Sequence, residues 1–141
     1  MQPRRRFVIL IVAIAACQPA TPPATSTPAA LTGEWTLIEL DAQPAPKGAG
    51  GKRATLIFNV DSTRVSGFAG CNRIAASFTL AADSIRFGPA MMTKMACSEG
   101  MELEGRVATV LGNTVRYQLT SGQLTLLGPS GSLAKFTRTT P

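Results

Sequence analysis

The residues best suited to chemistry are two cysteines and the polar pair that follows the first of them. Cys71 lies in the run Gly70-Cys71-Asn72-Arg73, and Cys97 ends the run Met91-Met92-Thr93-Lys94-Met95-Ala96-Cys97. Gly70 and Asn72 both tolerate positive φ, so Cys71 is predicted to lie in a tight turn between two strands. Two cysteines held in this way could form a disulfide bond, a redox pair or part of a metal site.

The sequence favours the structural use of these cysteines. A metal site needs more ligands, and the chain contains no histidine to supply them. A redox pair usually has its cysteines close together, as in Cys-x-x-Cys. The N-terminal segment, described below, is typical of an exported protein, and exported proteins can hold disulfides. The chain has three cysteines. If the first of them, Cys17, is modified at the N-terminus, Cys71 and Cys97 remain as a pair. We therefore expect a disulfide bond between Cys71 and Cys97, with two unpaired thiols as the alternative and no metal site.

Asn72 and Arg73 are candidate binding residues. An asparagine in such a turn more often hydrogen-bonds to neighbouring backbone, and an adjacent arginine is more often a solvated cation, so we favour structural roles for both. Glu99, Glu102 and Glu104 lie near a predicted helix start, which attracts negative charge, and no partner base accompanies them. The sequence contains no catalytic triad, P-loop or dinucleotide motif. We expect neither an enzyme nor a bound cofactor.

These side chains must be positioned by short segments in which apolar and polar residues alternate and which are separated by turn residues. They predict eight strands, at 34–40, 54–60, 64–68, 74–80, 84–87, 114–119, 123–127 and 133–137. One helix is predicted from a Ser98 cap to Leu111, with Leu103, Val107, Val110 and Leu111 on its buried face. Gly67 within a strand indicates a bulge or a close backbone approach. Met91, Met92 and Met95 are interpreted as core filling. The expected fold is mainly β (α+β), a curved antiparallel sheet or open (cracked) barrel with one packed α-helix.

The N-terminal segment, residues 1–16, is typical of an export signal. Arg4-Arg5-Arg6 precedes an apolar run from Phe7 to Ile14, which is too short to span a bilayer. The end of the run, Ile14-Ala15-Ala16-Cys17, resembles a bacterial lipobox. Cleavage before Cys17 and lipidation of its thiol are therefore expected, with an ordinary cleavable signal as the alternative.

Residues 17–30 are predicted to form a tether for a domain at 31–141. The segment from Gln18 to Ala30 has four prolines and no bulky apolar side chain, so it cannot form a core. Gln18, rather than aspartate, follows the cysteine. By resemblance to lipoprotein sorting rules, this favours the outer membrane, with the domain facing the periplasm.

The net charge of +6 overstates how basic the exported domain is. Removal of Arg4, Arg5 and Arg6 takes 14 basic residues to 11 against 8 acidic ones, a net charge of +3. The remaining cations are scattered, with Lys52-Arg53 as their one adjacent pair. Nucleic-acid-binding domains usually have clustered cations, so no nucleic-acid partner is expected.

The motifs together resemble the META domain of the HslJ-like proteins, also called DUF306. The resemblance rests on Leu31-Thr32-Gly33-Glu34-Trp35, on Ser66-Gly67 with Gly70-Cys71-Asn72-Arg73, and on Thr93-Lys94-Met95-Ala96-Cys97. The sequence departs from the family after Arg73, where Ile74, Ala76 and Phe78 replace an aromatic residue, a glycine and a tyrosine. The resemblance implies an envelope protein, often a lipoprotein, linked to heat shock or to novobiocin resistance, and a barrel similar to the pilot lipoproteins of type III secretion.

Two functions of different classes remain open. The first is a monomeric, lipid-anchored envelope module that binds an envelope protein or an apolar ligand and supports stress tolerance. The second is a periplasmic enzyme or enzyme inhibitor. The absence of histidine favours the first. An apolar cleft would support ligand binding, whereas a pocket with clustered ionisable groups would support an enzyme.

Overall fold

The fold of residues 27–140, the part described by this computed structural model, is a β-barrel with one helix. The predicted signal segment, Cys17 and most of the predicted tether lie outside the described residues. The helix α1 (Met101–Asn113) lies between the seventh and eighth strands. In chain order the strands are β1 (Gly33–Leu40), β2 (Gln43–Pro44), β3 (Thr55–Asn59), β4 (Arg64–Phe68), β5 (Arg73–Ala81), β6 (Ser84–Phe87), β7 (Met91–Met92), β8 (Arg116–Thr120), β9 (Gln123–Gly128) and β10 (Gly131–Arg138).

The longer strands close into an antiparallel barrel in the order β1, β3, β4, β5, β6, β8, β9, β10. The last strand pairs back onto the first, from Trp35 opposite Arg138 to Leu40 opposite Ala134. Buried and exposed residues alternate along the strands, as in the pattern of β3, because successive side chains point to opposite faces. The predicted mainly β fold, an antiparallel barrel-like sheet of about eight strands with one packed helix, is confirmed, and the sheet closes completely through the pairing of β1 with β10.

The weakest pairing in the barrel joins β6 and β8. Their ladder has one residue pair, Ser84 opposite Arg116, whereas β4 and β5 pair along five residues. The helix α1 contacts β6 and β9, so it lies across this narrow seam. Leu103, Val107, Val110 and Leu111 are buried against the sheet, which confirms the predicted buried face.

The helix begins later than the sequence predicted. Gly100 is the N-cap, with left-handed backbone (φ 88°), and no side chain caps the helix. The predicted Ser98 cap is wrong because the left-handed residue at Gly100 interrupts right-handed helical geometry.

A single turn of 3-10 helix, Pro28–Leu31, precedes β1 and packs against the end of the barrel at which β1 begins. Leu31 is fully buried, and its carbonyl accepts a hydrogen bond of 2.8 Å from Trp35 Nε1. The Arg138 guanidinium lies 4.4 Å from the centre of the Trp35 ring and donates to the carbonyls of Thr32 and Ala30. The fold therefore includes Pro28 to Ala30, which the sequence analysis assigned to the tether.

Candidate functional site

The turn between β4 and β5 is held by its backbone. Gly70 has φ 134°, a conformation that glycine adopts far more easily than other residues. The Ala69 N–H donates to the Asn72 carbonyl at 2.9 Å. The turn directs Cys71 and Asn72 inward, where both are buried, and leaves Arg73 exposed.

The Asn72 side chain uses its full hydrogen-bonding capacity inside the protein. Its Oδ1 accepts from the Met95 N–H at 2.7 Å and from Thr93 Oγ1 at 2.9 Å. Its Nδ2 donates to the Met95 carbonyl and to Glu104 Oε1, both at 3.1 Å. An amide side chain has two acceptor sites and two donors, so none is left for a ligand.

Glu104 binds the other side of this turn. Its Oε2 accepts from the backbone N–H of Asn72 at 2.6 Å, while Oε1 accepts from the Asn72 side chain. The carboxylate lies in the first turn of α1, where the helix dipole favours negative charge. Glu104 is only 8% exposed, so it joins the helix to the turn inside the protein.

Sequence reasoning missed this role, because it explained Glu104 by its position near the predicted start of the helix. A signal was present. Glu104 precedes the buried Val107 by three residues and the buried Leu111 by seven, and residues at these spacings lie on one face of a helix.

The two cysteines lie at the edge of the same network. The structure joins Cys71 and Cys97 in a disulfide bond, with the Sγ atoms 2.02 Å apart. The bond links the β4–β5 turn to the segment that leads into α1. We call Asn72, Thr93, Met95 and Glu104, together with this disulfide, the Asn72 junction.

Three glycines from separate segments bring their backbones together beside the Asn72 junction. A Cβ atom at Gly48 would lie 2.1 Å from the Gly70 carbonyl oxygen, and one at Gly100 would lie 2.2 Å from the same atom. That oxygen accepts a hydrogen bond of 2.7 Å from the Ala49 N–H. The contact leaves no room for a side chain, so it fixes the loop, the turn and the helix start relative to one another.

Gly67 makes a similar contact within the sheet. A Cβ atom there would lie 1.9 Å from the Thr55 carbonyl oxygen. The close backbone approach predicted from Gly67 is confirmed. The junction and its surroundings are therefore closely packed backbone, and across residues 27–140 no buried side-chain nitrogen or oxygen lacks a hydrogen-bond partner.

The outer side of the same region is different. Within the described residues the exposed large apolar side chains are Ile57 (43%), Met91 (63%), Met95 (63%) and Met101 (49%). The interpretation of Met91 and Met95 as core residues is wrong. Met91 pairs with Ala75, whose neighbours Ile74 and Ala76 point into the core, so Met91 lies on the outer face of the sheet. Met92 is half-buried and packs against that core.

Three open clefts connect these side chains. The first, of about 370 Å³, contains Met91, and the second, of about 670 Å³, contains Ile57 and Met95. A third, of about 460 Å³, contains Met95 and Met101. All three share Thr93, so they form one continuous surface.

Cations lie along this surface. Arg73 lines the first two clefts, Lys52 and Arg53 line the second, and Lys94 lines the third. The one carboxylate that lines any of the three is Glu104, whose oxygens bind Asn72. We call Ile57, Met91, Met95 and Met101, with these four cations, the methionine face.

The two candidate binding residues therefore have opposite environments. Asn72 is buried with all its side-chain hydrogen bonds made inside the protein, whereas Arg73 is exposed on the methionine face. The described part of the chain has no group of three or more His, Cys, Asp or Glu side chains placed to hold a metal ion. Between residues 27 and 140, no helix is long and apolar enough to cross a bilayer.

Comparisons with known proteins agree on the domain. The META domain family model matches residues 29–141. A protein from Burkholderia xenovorans with an NMR structure is similar, with 26% identity, a TM-score of 0.64, and coverage of 92% of this chain and 100% of that one. No curated protein matches the chain.

Two further solved structures are similar in fold. One is an NMR structure with 21% identity and a TM-score of 0.62, covering 79% of this chain and 94% of that one. The other is a crystal structure of a DUF4847 family protein from Bacteroides vulgatus. It has 14% identity and a TM-score of 0.54, with 79% and 95% coverage.

Proposed function

Because the chain belongs to the META domain family, we propose that it is a non-catalytic binding module of the bacterial envelope. In this proposal Cys17 is lipidated and holds the domain at the outer membrane, on the periplasmic side. The module binds an envelope partner and thereby supports tolerance of stress or of novobiocin. The signal segment, the lipobox-like Ile14-Ala15-Ala16-Cys17 and Gln18 support the location.

The observation that carries the binding role is the contrast between the Asn72 junction and the methionine face. The side chains suited to chemistry are bonded to one another in the junction. The accessible surface beside them is apolar and cationic. Large exposed apolar patches on a soluble domain usually mark interaction sites, and methionine is frequent on binding surfaces because its side chain adapts to different partners.

The enzyme alternative needs a base or a nucleophile facing a cleft. The ionisable groups that line the clefts of the methionine face are four cations and Glu104. The Thr93 hydroxyl donates to Asn72 at 2.9 Å. This arrangement favours recognition of a partner over catalysis.

A complementation experiment tests the proposal. A strain without the gene should be more sensitive to novobiocin, and the wild-type chain should restore tolerance. Cys17→Ser protein should keep its signal segment, run at a larger apparent mass than the wild-type protein and restore tolerance poorly. Membrane partitioning of the Cys17→Ser protein at unchanged mass would contradict lipid anchoring. Equal novobiocin sensitivity with and without the gene would contradict the tolerance role.

A further inference from the structure

We propose that the methionine face binds an acidic peptide segment of an envelope protein, with carboxylate side chains beside bulky apolar ones. This inference rests on the proposed binding function and specifies the chemical class of the binding partner.

The outer face of the sheet contains a groove with a floor of small side chains. Ile57 pairs with Ser66, Ser66 with Ala75, and Ala75 with Met91, so the four residues form one row across β3, β4, β5 and β7. The backbone of Gly67, next to Ser66 in β4, also lines the first cleft. Paired residues lie side by side on one face of a sheet. The row therefore has exposed apolar walls, Ile57 and Met91, and a low floor between them.

The exposed apolar side chains are concentrated on this side. Ile57, Met91, Met95 and Met101 all line the three connected clefts. Single exposed apolar residues are normal on any protein surface, whereas a group of them indicates a surface that is covered by a partner.

The charge of the surface selects an acidic partner. Arg73, Lys52 and Arg53 meet in the cleft beside Ile57 and Met95, and Lys94 extends the positive charge toward Met101. These four cations outnumber Glu104, which is the one carboxylate lining the three clefts and is turned inward to Asn72. Complementary charge at the rim of an apolar contact sets specificity and speeds association.

The form of the clefts favours a chain over a compact small molecule. Small-molecule sites usually enclose most of their ligand. Here the lining residues Arg73, Thr93 and Met95 are exposed, and the clefts follow one another along the surface. A peptide can cover several shallow clefts at once.

The point at which the chain enters the barrel bears on which partner the methionine face meets. It favours another protein over the membrane to which we propose that the chain is tethered. Gly33 pairs with Phe58, whereas Thr36 pairs with Thr55. Thr55 pairs with Phe68, and Phe68 pairs with Arg73. The 3-10 turn Pro28–Leu31 therefore enters at the opposite end of the barrel from Arg73. A membrane anchor at that end would leave the methionine face directed toward other proteins.

Peptide selection on the full chain tests the proposal. A phage-displayed library of random dodecapeptides is panned on the protein, and enriched peptides are synthesised and titrated. We expect enriched sequences to carry net negative charge with bulky apolar residues. In protein labelled with ¹³C at its methionine methyl groups, they should shift the signals of Met91 and Met95.

Matched charge reversals decide where the peptides bind. Arg73→Glu should weaken binding about tenfold or more, because it places repulsion beside the groove. Arg116→Glu alters an exposed arginine on β8, outside the clefts, and should change the affinity less than about twofold. Peptides without net negative charge, or equal binding to Arg73→Glu and wild-type protein, would overturn the proposal.

A vesicle experiment separates the remaining outcomes. If no peptide is enriched, or if vesicles of phosphatidylglycerol bind through Arg73 and the peptides do not, the proposed partner is wrong. These assays need neither Cys17 lipidation nor novobiocin tolerance. Peptide binding without tolerance would therefore retain this inference and overturn the cellular role. Tolerance without peptide binding would overturn this inference and retain the cellular role.

Discussion

The Asn72 junction and the methionine face are two sides of the same short segments, and they differ in almost every physical property. On the inner side Asn72 and Glu104 are buried, the Asn72 amide makes all four of its hydrogen bonds, and both oxygens of Glu104 accept from Asn72. On the outer side Met91 and Met95 are each 63% exposed. The comparison teaches that the residues with distinctive spacing build the scaffold, while their neighbours in sequence present the surface for which we propose a binding role.

If the scaffold depends on the close contact among the backbones of Gly48, Gly70 and Gly100, a methyl group added there should have the largest effect on stability. Gly100→Ala would place a Cβ atom 2.2 Å from the Gly70 carbonyl oxygen at φ 88°, so it should lower the free energy of unfolding by more than about 4 kcal/mol. Urea titration measures this change.

Gly105 provides the matched control for Gly100. It lies within α1, with no atom within 4 Å of an added Cβ, so Gly105→Ala should raise the free energy of unfolding by about 0.5–1 kcal/mol. Equal stability of the two variants would contradict the contact among the glycines.

The disulfide should have the next largest effect on the inner side. Its cysteines are separated by 26 positions, for which the chain-entropy model gives about 3.5 kcal/mol. Reductant should lower the denaturation midpoint of wild-type protein by a corresponding amount. It should not affect a Cys71→Ala, Cys97→Ala double variant. Two free thiols in protein exported to the periplasm, detected by alkylation and mass mapping, would refute the bond.

Tyr117 gives a smaller, pH-dependent test of the closed barrel. Burial raises the pKa of its hydroxyl above the usual value near 10, and the charge of Asp83 raises it further. The unfolded chain then releases the proton first. The stabilisation is present below about pH 10 and is lost as the pH rises toward the folded-state pKa.

The measurement is simple because the chain contains one tyrosine. Absorbance should show ionisation of Tyr117 above pH 10 in folded protein and near pH 10 in urea. Above pH 10 the free energy of unfolding should fall more steeply for wild type than for Tyr117→Phe. Ionisation of the folded protein at the same pH as the unfolded chain would mean that water reaches the seam between β6 and β8.

The sequence predicted the barrel well because each strand carries its own alternating signal. It placed the helix start too early, because a serine followed by glutamates indicates a cap, whereas the left-handed Gly100 depends on contact with Gly70. It misplaced Met91 and Met95, because an apolar composition does not indicate which side of a sheet a segment covers. The contacts of Glu104 with Asn72, 32 positions away, are set by the tertiary fold and not by local pattern.

Neighbouring residues of the turn allow the most direct test of the contrast between the two sides. Asn72→Ala should lower the free energy of unfolding by about 2–4 kcal/mol, because it removes the side-chain partners of the part-buried Met95 N–H and of the buried Glu104 Oε1. Arg73→Ala should change it by less than about 0.5 kcal/mol, since Arg73 is exposed. The two denaturation curves, measured together, are predicted to separate by most of this difference. If Asn72→Ala is as stable as wild type, or if Arg73→Ala is the less stable variant, the assignment of the inner side to the scaffold and the outer side to binding is contradicted.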